Sequence, residues 1–273
     1  MDLYRKDIFQ GGWFSFHSTV SDWVKTSKKL QTAFFKSFMF NEVFGESEVT
    51  DELLIKSDID FSFIKDKSVL VIGGGPSSKT LTDNQIKSYD LVFSCNHFFK
   101  NDLLKKHKIH LALIGDEVNF NDPEFLDYVN NHNPILGFDH SARRPAFNLL
   151  KLKESYPLCF IWLTRYFSRL GYVPRACVLA KLFGASKIDF IGLDGFRTNE
   201  HFFEKDKNPP PFNDVKEFQD QMRVFCEYML NCLKIEVENF NDLSSDNIYE
   251  GILEDVKLSY ENGTMLQWAN WSV

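Results

Sequence analysis

With 273 residues, 44% of them hydrophobic and 25% charged, the chain is long enough to bury a sizeable core and has the make-up of an ordinary soluble globular protein. A formal net charge of −7 argues against a nucleic-acid binder, which needs a basic surface, but leaves room for an anionic substrate held by a local cluster of arginines and backbone amides. The N-terminus lacks the apolar core of a signal peptide and no run of about 18 apolar residues occurs, so neither secretion nor a membrane span is expected. Five widely spaced cysteines without CxxC or Cys/His ligand spacing read as small buried hydrophobes in a reducing, cytoplasmic compartment.

In chain order, "STVSDWVKTSKKLQTAFFKSFMF" reads as an amphipathic helix, with Val20, Trp23, Val24, Leu30, Phe34, Phe35 and Phe38 near helical spacing and lysines between. Such a stripe packs on the main domain, on a second copy in a homo-oligomer, or at the inner face of a membrane as a peripheral contact. "FGESEVTDELLIKSDIDF" reads as an acidic connector with a short helix. From residue 66 short apolar runs follow: "SVLVIGG", "YDLVFSCN", "IHLALIGD", "PILGFD", "PLCFIWL" and "KIDFIGLDG". Helical or polar stretches separate several of them: "TDNQIKS", "FKNDLLKKHK", "DPEFLDYVNNH" and "GYVPRACVLAKLFGA". "KEFQDQMRVFCEYMLNCLK" predicts a helix and "IEVENF" a short strand, while the tail from residue 245 has no clear period.

Apolar strands alternating with helices predict an α/β fold, a Rossmann-like parallel sheet of about five to seven strands with helices on both faces. The expected division is a helical extension over 1–65, a nucleotide-binding catalytic domain over 66–242 and a C-terminal extension over 243–273.

In such a sheet ligands sit beyond the carboxyl ends of the strands. The run "VLVI" leads straight into Gly73, Gly74, Gly75, Pro76, Ser77 and Ser78. Glycines let main-chain amides approach an anion, Pro76 suits a helix entry, and the serines offer hydroxyls, so a phosphate-binding turn is expected, against a plain tight turn. The spacing is neither the dinucleotide fingerprint, since Ser78 stands where its last glycine belongs, nor a Walker A loop. Asn96 follows the second strand, where its amide can bond a base or ribose.

Three segments now carry a resemblance. "GGGPS", then "YDLVFSCNHFF", and much later "AKLFGASKIDFIGLDGF" resemble the bacterial sialyltransferases of glycosyltransferase family 42, and equally the related 6-hydroxymethylpterin diphosphokinase-like family that includes the motility-associated glycosyltransferases. It covers residues 67 to about 240. The resemblance implies a Rossmann-like domain and a CMP-activated sugar transferred without a metal. It implies a phosphate-binding role for Gly73, Gly75, Pro76 and Ser77, a nucleotide contact for Asn96, and a match of Asp194 to the family's aspartate after the last core strand. The chain departs from the pattern at Gly74, where the sialyltransferases carry Asn, and at Phe196 and Phe202, where they carry tyrosines. Their T-S-G is replaced by "RLGY", and their catalytic histidine has no match in "PPPFNDVKEFQD".

Other candidates come from chemistry. His201, just beyond "FIGLDG", suits a general base for a hydroxyl acceptor, with Asp194 and Glu200 as alternative bases or as groups orienting it. Asp194 has two further readings, a ribose ligand or a cap on the following turn. Arg143 and Arg144 in "GFDHSARRPAF", and Arg175 in the first turn of a helix, are candidates for gripping a donor phosphate or carboxylate; Arg169 is similar. Asp116 in "LIGDEVNFND" is read as an acceptor or nucleotide contact or, paired with Glu117, as a Mg²⁺ ligand in a diphosphokinase reaction.

The expected function is a metal-independent glycosyltransferase that needs no cofactor beyond its nucleotide-sugar donor and modifies a surface glycan or glycolipid precursor. Its expected partners are that donor and a glycan acceptor. The alternatives are a Mg-dependent pterin-type diphosphokinase and an inactive nucleotide-binding protein.

Overall fold

The computed structural model describes residues 48–49, 53–56, 59–115, 117–139, 156, 158–164, 170–194, 215–244 and 251–264. Its strands are β1 (Glu48–Val49), β2 (Leu53–Lys56), β3 (Ser68–Ile72), β4 (Leu91–Cys95), β5 (Leu111–Ile114), β6 (Ile135–Asp139), β7 (Cys159–Thr164), β8 (Lys187–Ile191) and β9 (Phe240–Asp242). They form one sheet in the order β1-β2-β7-β6-β5-β4-β3-β8-β9. Every pairing from β7 across to β9 is parallel, which makes the seven-stranded, Rossmann-like α/β architecture expected from the alternating pattern.

The helices are α1 (Asp83–Lys87), α2 (Pro123–His132), α3 (Tyr172–Leu182), α4 (Val215–Glu227) and α5 (Ile252–Glu261). Because both sheet faces are covered, the strands are apolar at successive positions. Along β3, Val69 and Val71 join a core with α3, α4 and α5 residues such as Val178, Met222 and Val256. Leu70 and Ile72 point the other way, toward Ile86 of α1 and Phe125 of α2. Local chemistry starts and ends these helices. Thr82 and Gln85 close a capping box on α1; Asp122 caps α2, Pro123 opens it, and Asn133 ends it at φ +49.

Several expectations are corrected. The segment read as a connector with a short helix contains β1 and β2; β2 pairs antiparallel with β7, Leu53 opposite Thr164. It covers what would otherwise be the open edge of β7, a tertiary demand that three consecutive apolar residues do not announce. Residues 48–49 and 53–56 therefore belong to the main sheet rather than to a helical extension. "FKNDLLKKHK" is broken into two 3-10 turns, Phe98–Lys100 and Leu104–Lys106, because the Asn101 side chain accepts the Leu103 and Leu104 amides at 2.9 and 3.3 Å. "IEVENF" is a 3-10 turn, Val237–Asn239, leading into β9. The tail contributes α5, whose Ile252, Leu253 and Val256 share the core of Phe190 and Phe225, so this helix is part of the main domain rather than of a separate extension. The predicted aromatic helix over 18–40 lies outside the described residues. Among the described residues no helix is long and apolar enough to cross a membrane.

His110, unassigned by sequence, bridges β4 and β5. Its Nδ1 accepts the Val92 amide at 3.1 Å, a bond that requires an unprotonated Nδ1. Burial, followed by the charge of Lys108, holds its pKa below the ordinary histidine value. A depressed histidine gives stability that is complete above its unfolded pKa of about 6.5 and is lost as pH falls through the folded value. The melting temperature is expected to drop on acidification below that point, and the drop to shrink in His110→Gln; equal acid slopes for the two proteins would refute this role.

Candidate functional site

The crevice of an open parallel sheet lies where successive connections diverge. Here that place is between β3 and β8. From β3 the chain steps outward through β4, β5, β6 and β7, then returns to lay β8 on the other flank of β3. The strand ends that flank this place are Gly73–Ser77 and Gly192–Asp194.

These strand ends are stitched to one another. The Gly73 amide donates to the Ile191 carbonyl at 2.8 Å and the Gly75 amide to the Gly192 carbonyl at 3.0 Å. The Gly192 amide donates to Ser77 Oγ at 3.0 Å, and the Ser77 amide to Asp194 Oδ2 at 2.9 Å across 117 residues of sequence. Ser77 Oγ donates on to Ser244 Oγ at 3.2 Å, and Ser78 Oγ to the Gly75 carbonyl at 2.8 Å.

The expectation of bare amides along the turn is therefore corrected. The amides of Gly73, Gly75 and Ser77 and both serine hydroxyls are spent on the protein, while the Gly74 amide has no acceptor among the described residues. Pro76 opens a five-residue 3-10 turn, Pro76–Thr80, rather than the helix expected there, and the turn is too short to supply a helix dipole at Ser77. The glycines answer to close packing: a β-carbon on Gly73 or on Gly75 would lie 2.6 Å from the Gly192 carbonyl oxygen. Another backbone does approach these glycines, but it is the chain's own. Asp194 Oδ2 caps the 76–80 turn, a turn that precedes it in sequence rather than the one that follows.

One strand over, Asn96 ends β4 in the left-handed region at φ +48, a conformation that asparagine tolerates better than most residues. Its amide donates to the Leu113 carbonyl at 2.9 Å, its Oδ1 accepts the Gly115 amide at 2.8 Å, and its Nδ2 donates to Glu117 Oε1. A side chain thus prolongs the β4–β5 ladder past the strand ends. The neighbouring Cys95 thiol is pushed up to about 12 by burial and by the Glu117 charge, so it is no nucleophile at neutral pH.

Helix α3 begins directly above. Gly171 precedes it at φ +93. Val173 Cγ2 fills the space that a side chain on Gly73 would need, and a β-carbon on Gly115 would come within 2.9 Å of the Tyr172 ring. The N-terminus of α3 therefore spans the ends of β3, β4 and β5, bringing partial positive charge there. Arg175 adds a full charge but is only 4% exposed, and its guanidinium lies over the Tyr172 ring at 5.1 Å. It is buried against the tyrosine ring.

The structure thus gathers Gly73, Gly74, Gly75, Pro76, Ser77, Asn96, Arg175 and Asp194 along one edge of the sheet. Asp116, Arg143, Arg144, Arg169, Phe196, Glu200, His201 and Phe202 lie outside the described residues. Sequence reasoning passed over Tyr172 and Gly115 as site residues, and weighed Glu117 only as a partner of Asp116 for a metal. Glycine directly after the apolar run "LALI" was the visible signal for the second of these; the other two matter only through partners distant in sequence.

No protein-family model matches the chain, and no curated protein matches it. Among solved structures the chain is similar to the sialyltransferase CstII from Campylobacter jejuni in complex with the substrate analogue CMP-3FNeuAc. That similarity has a TM-score of 0.48 and 15% sequence identity, over 68% of this chain and 85% of that one.

Proposed function

We propose that the chain is a glycosyltransferase that takes its sugar from a CMP-linked donor and passes it to a hydroxyl of a surface glycan or glycolipid precursor, without a metal. One observation carries the reading. Of the three segments behind the sequence resemblance, "GGGPS" and "FIGLDG" meet at the switch point of a parallel sheet, where a ligand would be expected, and "YDLVFSCN" ends on the adjacent strand.

In this reading the donor phosphate lies by the Gly74 amide and the N-terminus of α3. Arg175 contributes through its field, and Asn96 meets the nucleoside. Asp194 keeps the turn in shape. Arg143 and Arg144 hold the donor's charges, and Asp116 completes the nucleotide or acceptor contacts. The acceptor oxygen attacks the anomeric carbon as the bond to the phosphate oxygen breaks; its proton passes to His201, and CMP leaves. Catalysis rests mainly on alignment and on neutralising the leaving phosphate.

A thermal-shift panel of CMP, CDP, UDP, GDP and ATP, each with and without Mg²⁺, tests the reading. CMP is expected to raise the melting temperature most, with or without metal; a ligand at a hundred times its Kd adds about 2.7 kcal/mol of stability. A largest shift from ATP with Mg²⁺, or no shift from any nucleotide, would overturn it.

A further inference from the structure

Asparagine has two lone pairs on Oδ1 and two protons on Nδ2. In Asn96 one lone pair is taken by the Gly115 amide at 2.8 Å and one proton by Glu117 Oε1. The Gly115 bond pins the oxygen, and the Glu117 bond fixes the direction of the nitrogen. Together they leave one N–H and one lone pair of a planar amide held in a single orientation at the carboxyl edge of the sheet. Gly115 has no side chain to obstruct this: a β-carbon there would lie 3.2 Å from Asn96 Oδ1 and 2.9 Å from the Tyr172 ring. Glu117 itself is exposed, and its carboxylate stands near enough to the end of β4 for its charge to be felt by the Cys95 thiol. A carboxylate there repels a phosphate, so what Asn96 is offered must be the uncharged part of a ligand. The phosphate then lies on the other side, toward Gly74 and α3.

We infer that Glu117 is a positioning residue: by its hydrogen bond it aligns the Asn96 carboxamide to take the neutral base or ribose of a nucleotide. The inference rests on the nucleotide-binding reading above for its ligand, but not for its geometry.

The experiment compares wild type, Glu117→Ala and Glu117→Gln by CMP titration calorimetry and by the side-chain amide signals of Asn96 in ¹H–¹⁵N spectra, assigned through their loss in Asn96→Asp. Glu117→Ala is expected to weaken CMP binding about tenfold, the scale of one charge-assisted hydrogen bond, and to shift the Asn96 signals toward their free-peptide positions. Glu117→Gln keeps an acceptor oxygen and is expected to stay within about threefold of wild type, with the Asn96 signals in place. Wild-type binding by Glu117→Ala, or Glu117→Gln failing as badly as Glu117→Ala, would overturn the inference. If no nucleotide binds the wild type, the proposed function fails. The Asn96 signals then decide alone: unmoved in Glu117→Ala, they overturn the positioning role; displaced in Glu117→Ala and restored in Glu117→Gln, they uphold it.

Discussion

Gly192→Ala is expected to destabilise the protein by about 2–5 kcal/mol, because it combines backbone strain with steric overlap. Gly192 sits at φ +82, where a β-carbon is strained whatever the space, and that carbon would also lie 2.6 Å from the Gly73 carbonyl oxygen and 3.0 Å from Gly73 Cα. Neither contact is with the tip of a flexible side chain, so relief requires parting the ends of β3 and β8. Parting them stretches the bonds from the Gly73 and Gly75 amides that hold these strand ends together. Gly251→Ala is the matched control. Gly251 has φ +83, but a β-carbon there would meet nothing within 4 Å, so only strain applies, about 1–2 kcal/mol. Urea denaturation checks both: the midpoint should fall much further for Gly192→Ala at unchanged slope. Equal midpoints for the two variants would mean that the turns do not press on each other.

Asp189→Ala is expected to cost about 1–3 kcal/mol, since it empties a buried acceptor site and leaves the half-buried Tyr89 hydroxyl and Asn241 amide without their partner. Asp189 is 2% exposed in the middle of β8. It accepts hydrogen bonds from the Tyr89 hydroxyl and from Asn241 Nδ2 at 2.8 Å, and it pairs with Lys187 at 3.1 Å. Asn241 is held in turn by Lys257 Nζ, which donates to its Oδ1 at 3.0 Å. The Lys187 side chain is 41% exposed, so its ion pair adds little. The phenol supplies a separate readout. Burial first, then the hydrogen bond to Asp189 and the charge of that carboxylate, raise the Tyr89 pKa above the ordinary tyrosine value. A raised tyrosine contributes stability that is complete below its unfolded pKa of about 10 and is lost as pH rises through the folded value. In Asp189→Ala two of the three causes vanish, so Tyr89 should ionise at lower pH by ultraviolet titration. An unchanged phenol titration would show that the carboxylate does not reach it.

The two residues also mark how far the chain can be read without its fold. Gly192 was passed over in sequence, while Gly73–Gly75 were conspicuous, because glycines closing an apolar run must serve a turn or a close approach. Which neighbour approaches was open. A ligand phosphate and a second strand end make the same demand on a glycine, and the partner here is more than a hundred residues away in the chain. Asp189 was a lone polar residue in "KIDFI", with nothing nearby to say that Tyr89 and Asn241 would converge on it. "ELLIK" failed differently: a short apolar run has no period by which strand and helix can be told apart, and the exposed edge of β7 settled the matter.

What the amino-acid sequence determined alone is the order and kind of the main elements, from apolar strands in alternation with capped helices, and the place where their ends carry unusual chemistry. Periodicity and capping act over a few residues, so they are legible locally. What only the tertiary structure decided is how those ends spend their polar groups. The amides of Gly73, Gly75 and Ser77 are closed on β8 and its turn, while Asn96 is braced by Glu117 with part of its amide still unspent. Hydrogen-bond partners are assigned by proximity in space, and in a parallel sheet neighbouring strand ends are brought together by long crossovers rather than by adjacency in the chain.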